Sequence, residues 1–311
     1  MENEKLQLTI KDITSLFDAS ESEIGPIGDP IINNNDFGYK KIINKEKDNL
    51  LIDILKKIDD NELWVSGSDK QDIWQKGWTE NFEDYKKSGD ISLLTPKFIV
   101  PNRAMRFFSE YIIPTSGDFE FNVIDIYRRW LFSKYLSNVN NIFEFGCGSC
   151  QHLPILSELF PNKKIHGLDW APVTKEIIDQ IVNKTGWNFE GHVFDMYKPY
   201  DMPELNSESG VFTFGAMEQL GNKFYPFTEY LLSKKPKIII NVETTIELYD
   251  ENNLVDYLAL KYDKKRNYLN GYLTFLRKLE NEQKIKIIKS KKVCFGSQYH
   301  DPYSLTIWSV N

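Results

Sequence analysis

Apolar positions along this chain follow two regimes that change over near residue 140. In the first regime, a short periodic stretch around Leu6–Phe17 predicts a helix. The breakers Gly25-Pro26 and Gly28-Asp29-Pro30 predict irregular chain for the rest of the first ~45 residues. Asp48–Ile58 carries Leu51, Ile54, Leu55 and Ile58 on one face and predicts an amphipathic helix. Residues 61–115 read as irregular, with Trp64, Trp74, Trp78, Phe82 and Tyr85 among polar neighbours; so many aromatics predict a segment that drapes over another surface. Phe119–Leu136 predicts a helix leading into the second regime.

From Asn140 the pattern alternates strand and helix. Strand 141–145 precedes helix 150–159, strand 164–168 precedes helix 172–184, and strand 188–194 ends at Asp195. Strand 210–215 and helix 224–234 follow. The run 237–243 is nearly continuous in β-branched residues, as a strand covered on both faces requires. Two helices fill 251–282, and strand 284–295, the turn Gly296–Pro302 and strand 303–310 close the chain. Five βα units and a final hairpin predict an α/β fold: a doubly wound, mostly parallel seven-stranded sheet with a terminal antiparallel β-hairpin. Residues 138–311 would form this Rossmann-like domain, and residues 1–137 a mainly helical or irregular extension that acts as lid or substrate cover.

Composition narrows the function. The 311 residues are 41% hydrophobic and 27% charged, as in an ordinary globular protein. A net charge of −7 argues against a nucleic-acid groove, which is normally basic. No apolar run approaches the ~20 residues that span a bilayer, so no membrane partner is expected. The start, Met1-Glu2-Asn3-Glu4-Lys5, lacks the pattern of a secretory signal, and Cys147, Cys150 and Cys294 are too few for a disulfide framework; both fit a reducing cytoplasm. Cys147-x-x-Cys150 overlaps a glycine turn, so the two thiols read as small residues filling that turn and not as a redox pair.

The chemistry concentrates at Glu144-Phe145-Gly146-Cys147-Gly148, at Asp169-Trp170 and at Asp195-Met196. Glycines after an apolar strand let the backbone turn sharply and approach a ligand, and the following helix presents free N–H groups. Asp169 and Asp195 stand at neighbouring strand ends, where ligands of open α/β sheets bind. In this order and combination, residues 141–311 resemble the class I S-adenosylmethionine-dependent methyltransferases; Cys150 departs from the family by standing where a third glycine or another small residue is frequent. The resemblance implies S-adenosylmethionine as cofactor. Gly146 and Gly148 would pass close to its methionyl part and Glu144 would orient that loop or accept from its ammonium, with Cys147 and Gly215 also at the cofactor; Asp169 would take both ribose hydroxyls, Trp170 would pack on the adenine face, and Asp195 and Met196 would meet the adenine edge.

The turn Gln298–Pro302 should lie beside the acceptor, which makes His300 the leading general base, with Asp301 to orient it. Glu218 and Glu243 follow neighbouring strands and are further candidates. His152 sits in the first turn of the glycine-loop helix and is placed near cofactor or lid; His166 and His192, inside strands, read as packed residues. No catalytic metal is expected, since no spacing dictates one. Trp74, Trp78, Arg103, Arg106 and Tyr299 are candidates for the acceptor side, the arginines suiting a phosphate or carboxylate. The predicted activity is O- or N-methylation of a small molecule, such as a sugar, a cell-surface glycan precursor or a secondary metabolite, by an enzyme with a possible homodimeric assembly. No Asn/Asp-Pro-Pro-Tyr segment of the kind used on flipped bases is present. Two alternatives stand beside it: an NAD(P)-dependent oxidoreductase, disfavoured by Gln151 where a dinucleotide fingerprint wants glycine, and a non-catalytic methyltransferase-like subunit that binds a partner through residues 1–115.

Overall fold

The alternating second half forms the seven-stranded sheet that its periodicity predicts. The computed structural model describes residues 4–97 and 100–311. Five parallel strands, β5 (Asn141–Phe145), β6 (Lys164–Asp169), β7 (Phe189–Val193), β8 (Ser209–Phe214) and β9 (Ile238–Val242), are joined on one side by the antiparallel pair β10 (Ile285–Lys291) and β12 (Leu305–Val310). The spatial order is β10-β12-β9-β8-β5-β6-β7. The order reverses between β8 and β5, which opens a crevice at their C-terminal ends.

Helices cover both faces, and the strand sequences are divided accordingly. In β5, Ile142 and Glu144 face one layer while Phe143 and Phe145 face the other. The first layer holds α5 (Phe119–Tyr135), α6 (Leu153–Leu159) and α7 (Pro172–Thr185). The second holds α8 (Tyr225–Lys234) and α10 (Tyr272–Asn281), while α9 (Leu254–Arg266) lies beyond the β9 end and packs on α3 (Asn44–Asp59). Each core helix and parallel strand stands within a few residues of its predicted bounds. No helix among the described residues is long and apolar enough to cross a membrane.

The first half is more ordered than its sequence suggested. After β1 (Leu6–Gln7) and α1 (Ile10–Phe17), the segment read as irregular forms α2 (Glu21–Asn34), with Pro26 and Pro30 inside it. The capping box of Ser20 and Glu23 starts this helix. The carbonyls that the two prolines leave unbonded, four residues upstream, belong to the exposed Ser22 and Pro26, so water satisfies them. Residues 61–115 contain the 18-residue helix α4 (Gln71–Ser88) and two strands, β3 (Met105–Phe107) and β4 (Glu110–Pro114). With β2 (Gly38–Lys41) these build a second, antiparallel sheet in the order β1-β2-β4-β3-β11.

Its last member, β11 (Phe295–Ser297), comes from the segment read as strand 284–295 and the turn Gly296–Pro302. The chain therefore leaves the main sheet after Lys291, crosses to β3, and returns as β12. What looked like a tight hairpin is a long excursion that sutures the two sheets together.

Candidate active-site cleft

The bend after β5 is shaped by close packing. Gly146 and Gly148 have φ of +76° and +54°, in the left-handed region that favours glycine. A Cβ on Gly146 would meet the Ala216 Cβ at 2.2 Å, and one on Gly148 the Trp78 ring at 2.8 Å. Cys150 also takes a left-handed conformation, at φ +68°, in the place where the resemblance leads one to look for glycine. The Cys147 and Cys150 side chains are buried free thiols, and burial pushes both pKa values up, which makes them inert.

Around this bend the polar atoms are left in want of partners. Glu144 Oε1 lies 2.5 Å from His152 Nδ1, and both residues are almost fully buried. Glu144 Oε2, His152 Nε2 and Ser149 Oγ are buried without a hydrogen-bond partner among the described residues. Such atoms are costly inside a protein unless a ligand completes them. Ser149 is absent from the residues singled out in the sequence.

Asp169 ends β6 and accepts from the Gly148 N–H at 2.9 Å and from the Ala171 N–H at 2.8 Å. Burial drives its pKa up to about 6 against these two donors. Asp169, Trp170, Asp195, Met196, Gly146 and Gly215 line one cavity of ≈ 60 Å³. Trp74 and Trp78 of α4 stack at 5.3 Å and lie between this space and a larger one. Trp78 also covers the glycine bend, so α4 lies on top of the cleft.

The larger cavity, of ≈ 350 Å³, continues from the same bend. Its walls carry Ser149, His152, Arg103 and Glu120 together with Glu218, Tyr262, Arg266, Tyr268, Tyr299 and His300. Glu120, a residue the sequence gave no reason to select, accepts from the Tyr303 hydroxyl at 2.9 Å and keeps its Oε2 buried and unbonded. Arg266 lies over the rings of Trp64, Tyr262 and Tyr268, and its Nε, like that of Arg103, has no hydrogen-bond partner among the described residues.

His300 reaches this cavity as expected, but its support differs. Its Nδ1 lies 2.9 Å from Thr244 Oγ1 and 3.1 Å from Asp263 Oδ1. The charge of the Asp263 carboxylate favours a proton on the Nδ1 side of the ring. Burial pulls the His300 pKa down, while Asp263, Glu218 and Asp301 outweigh it and raise it above the ordinary value. Asp263 was not foreseen; it sits in a helix that the sequence placed only roughly, far from the motif strands.

Three expectations are corrected. Arg106 is fully buried outside both cavities, where it donates to Asp301 at 2.8 and 2.9 Å, to Asp256 Oδ1 at 2.8 Å and to the Val255 carbonyl at 2.6 Å. Asp301 is thereby held by Arg106 and is not the group that orients His300. Glu243 lies behind the cavity and accepts from the Ala216 and Glu218 N–H groups, each at 3.1 Å. It fixes the loop after β8 and does not reach the cleft; burial and the neighbouring Glu218 lift its pKa to about 8. Glu218 itself lines the cavity, with its pKa raised first by burial.

Comparison with known proteins gives a consistent but distant picture. No family profile and no curated protein matches the sequence. Among solved structures, the methyltransferase domain of bacterial CtHen1 is 15% identical, with 58% of this chain and 94% of that one covered at a TM-score of 0.42. Magnesium protoporphyrin IX methyltransferase (ChlM) from Synechocystis PCC 6803, solved with bound S-adenosylmethionine, is 11% identical over 62% of this chain and 82% of that one, at 0.42. The branched-chain polyamine synthase from Thermus thermophilus, solved with 5′-methylthioadenosine, is 13% identical over 60% and 55%, at 0.41. Similarity of this degree says nothing of which reaction the cleft performs.

Proposed function

We infer that this chain, which has the fold of the class I S-adenosylmethionine-dependent methyltransferases, binds S-adenosylmethionine at the Gly146–Gly148 bend and methylates a small molecule in the larger cavity. The observation that carries the reading is the set of three buried, unbonded polar atoms at that bend, Glu144 Oε2, Ser149 Oγ and His152 Nε2. They suit the charged amino-acid end of the cofactor, and Asp169 and Asp195 line the adjoining space at neighbouring strand ends, where ribose and adenine would lie. The cofactor supplies an electrophilic methyl group on a sulfonium.

The chain's own residues supply position and a proton acceptor. Asp169 accepts the ribose hydroxyls, and Asp195 with the Met196 N–H meets the adenine edge. Trp74 and Trp78 close over the bend and keep water out. Holding two reactants in line in this way can contribute ~7–11 kcal/mol to lowering the barrier. On the acceptor side, His300 would take the proton of a hydroxyl whose oxygen displaces the sulfur, the carbon–sulfur bond breaking as the carbon–oxygen bond forms and the cofactor leaving as a neutral thioether. Asp263 and Thr244 hold the ring for that role and stabilise the imidazolium that results. Tyr262 and Tyr299 stack at 4.8 Å and offer a wall for a planar acceptor, and Arg103 and Arg266 offer donors for an anionic group on it. An enclosed chamber in an acidic protein fits a metabolite better than a nucleic acid.

Calorimetric titration with S-adenosylhomocysteine and, separately, with NADH tests the assignment. Binding of the first and not the second is expected. Binding of NADH alone transfers the cleft to hydride chemistry, and binding of neither removes the cofactor site.

A further inference from the structure

Away from the cleft, on the face of the sheet that packs against α8, three side chains bring nitrogen and carboxylate ligand atoms together. We propose that His166, Glu190 and His192 bind one divalent transition-metal ion of the zinc type. Glu190 is the β7 register partner of His166, and His192 follows two residues later, so the pleat sends all three to the same face. Their ligand atoms all lie within 4.8 Å of one another.

The separations fit tetrahedral coordination. Metal–nitrogen bonds of about 2.05 Å set neighbouring ligand atoms about 3.3 Å apart. Here His166 Nδ1 and His192 Nε2 are 3.0 Å apart, and His192 Nε2 is 3.9 Å from Glu190 Oε1. An ion between them requires the two rings to turn out of their direct contact and the carboxylate to close in. His166 is fixed by stacking on Phe143 with ring centroids 4.2 Å apart and 5° between planes. His192 and Glu190 are half-buried, which leaves water able to complete the shell. Lys164 pairs with Glu190 Oε2 and leaves Oε1 toward the imidazoles.

The protons balance. Each neutral imidazole carries one proton and offers one lone pair. In the metal-free pair, one ring nitrogen donates to the other. The ion takes a lone pair from His166 Nδ1 and one from His192 Nε2; His192 then carries its proton on Nδ1, His166 keeps its own on Nε2, and none is released. Two imidazoles and a carboxylate select zinc, cobalt, nickel or copper over magnesium or calcium. The ion would pin β7, an edge strand, to β6.

Untagged protein dialysed against micromolar zinc and analysed by atomic emission is expected to retain one ion per chain, with cobalt giving the visible bands of a four-coordinate site. His192→Gln and Glu190→Gln should weaken zinc binding by about tenfold or more. His300→Gln, which alters a histidine of the cleft, should leave it unchanged; circular dichroism confirms that each variant is folded. A native chain that retains no zinc, or a His192→Gln chain that retains it as tightly, overturns the proposal. Neither result depends on whether S-adenosylmethionine binds.

Discussion

Asp169 is held between opposing demands: two backbone donors favour its charge, and burial disfavours it. Its place in the cleft and the role proposed for it make Asp169→Ala the sharpest single test. The substitution should weaken S-adenosylmethionine binding by ~1.5–3 kcal/mol in calorimetry, the scale of lost hydrogen bonds to a charged group. His300→Gln should leave that affinity intact and lower turnover ~10²–10⁴-fold. For Asp263→Asn the sign follows from the direction of the His300 shift. Asp263 raises the His300 pKa, so the unprotonated base gains population only at higher pH; removing that charge should move the acid limb of the kcat/KM profile to lower pH while kcat falls. An unmoved limb would separate Asp263 from the base. Glycines, strand-end acids and His300 were legible because local sequence dictates where they stand. Asp263, Glu120 and Ser149 were not, since each is selected by what it touches across the fold. Arg106 was misread for the same reason: an arginine in sequence looks alike whether it meets a ligand or two buried aspartates.

Among the elements, α4 shows how a readable signal was passed over. Trp74, Trp78, Phe82 and Tyr85 follow one another at spacings of four, four and three, which is a helical stripe. The polar residues between them hid it. The second sheet left less trace, because β2, β3 and β11 are three or four residues long and pair across large separations in sequence. Arg106 on β3 fastens that sheet to α9 through Asp256 and to the returning excursion through Asp301, with no exposure to water. Arg106→Met should strand the buried Asp301 carboxylate, while Asp256 keeps Lys292 and the Asp250 N–H, and reduce unfolding free energy by about 3–5 kcal/mol in urea titration. A loss below 1 kcal/mol, the scale of an exposed pair, would show that the three elements hold without it.

For the molecule as a whole, the raised acids fix how stability depends on pH. Asp169 and Glu243 bind protons more tightly in the folded chain, at about 6 and about 8, than free carboxyl groups do at 3.8 and 4.5. The stability they contribute is complete below about pH 4 and is lost as pH rises through 6 and then 8. The ligand-free chain should therefore melt at lower temperature at pH 8.5 than at pH 5.5, with each group contributing up to about 1.4 kcal/mol per pH unit within its window. A melting temperature that rises over that range would contradict both shifts. The boundary expected near residue 137 is not a clean seam either, since the edge of the N-terminal sheet is completed from the far end of the chain.

That last contact orders events at birth. Residues 295–297 are made long after β3, and until they emerge β3 shows a bare row of amide and carbonyl groups. His300 follows within three residues, so it and the closing of that row arrive together. The nascent protein thus passes through an interval in which the glycine bend is already made but this edge is still uncovered, and the stitch that silences the edge is the same one that brings His300 to the cleft.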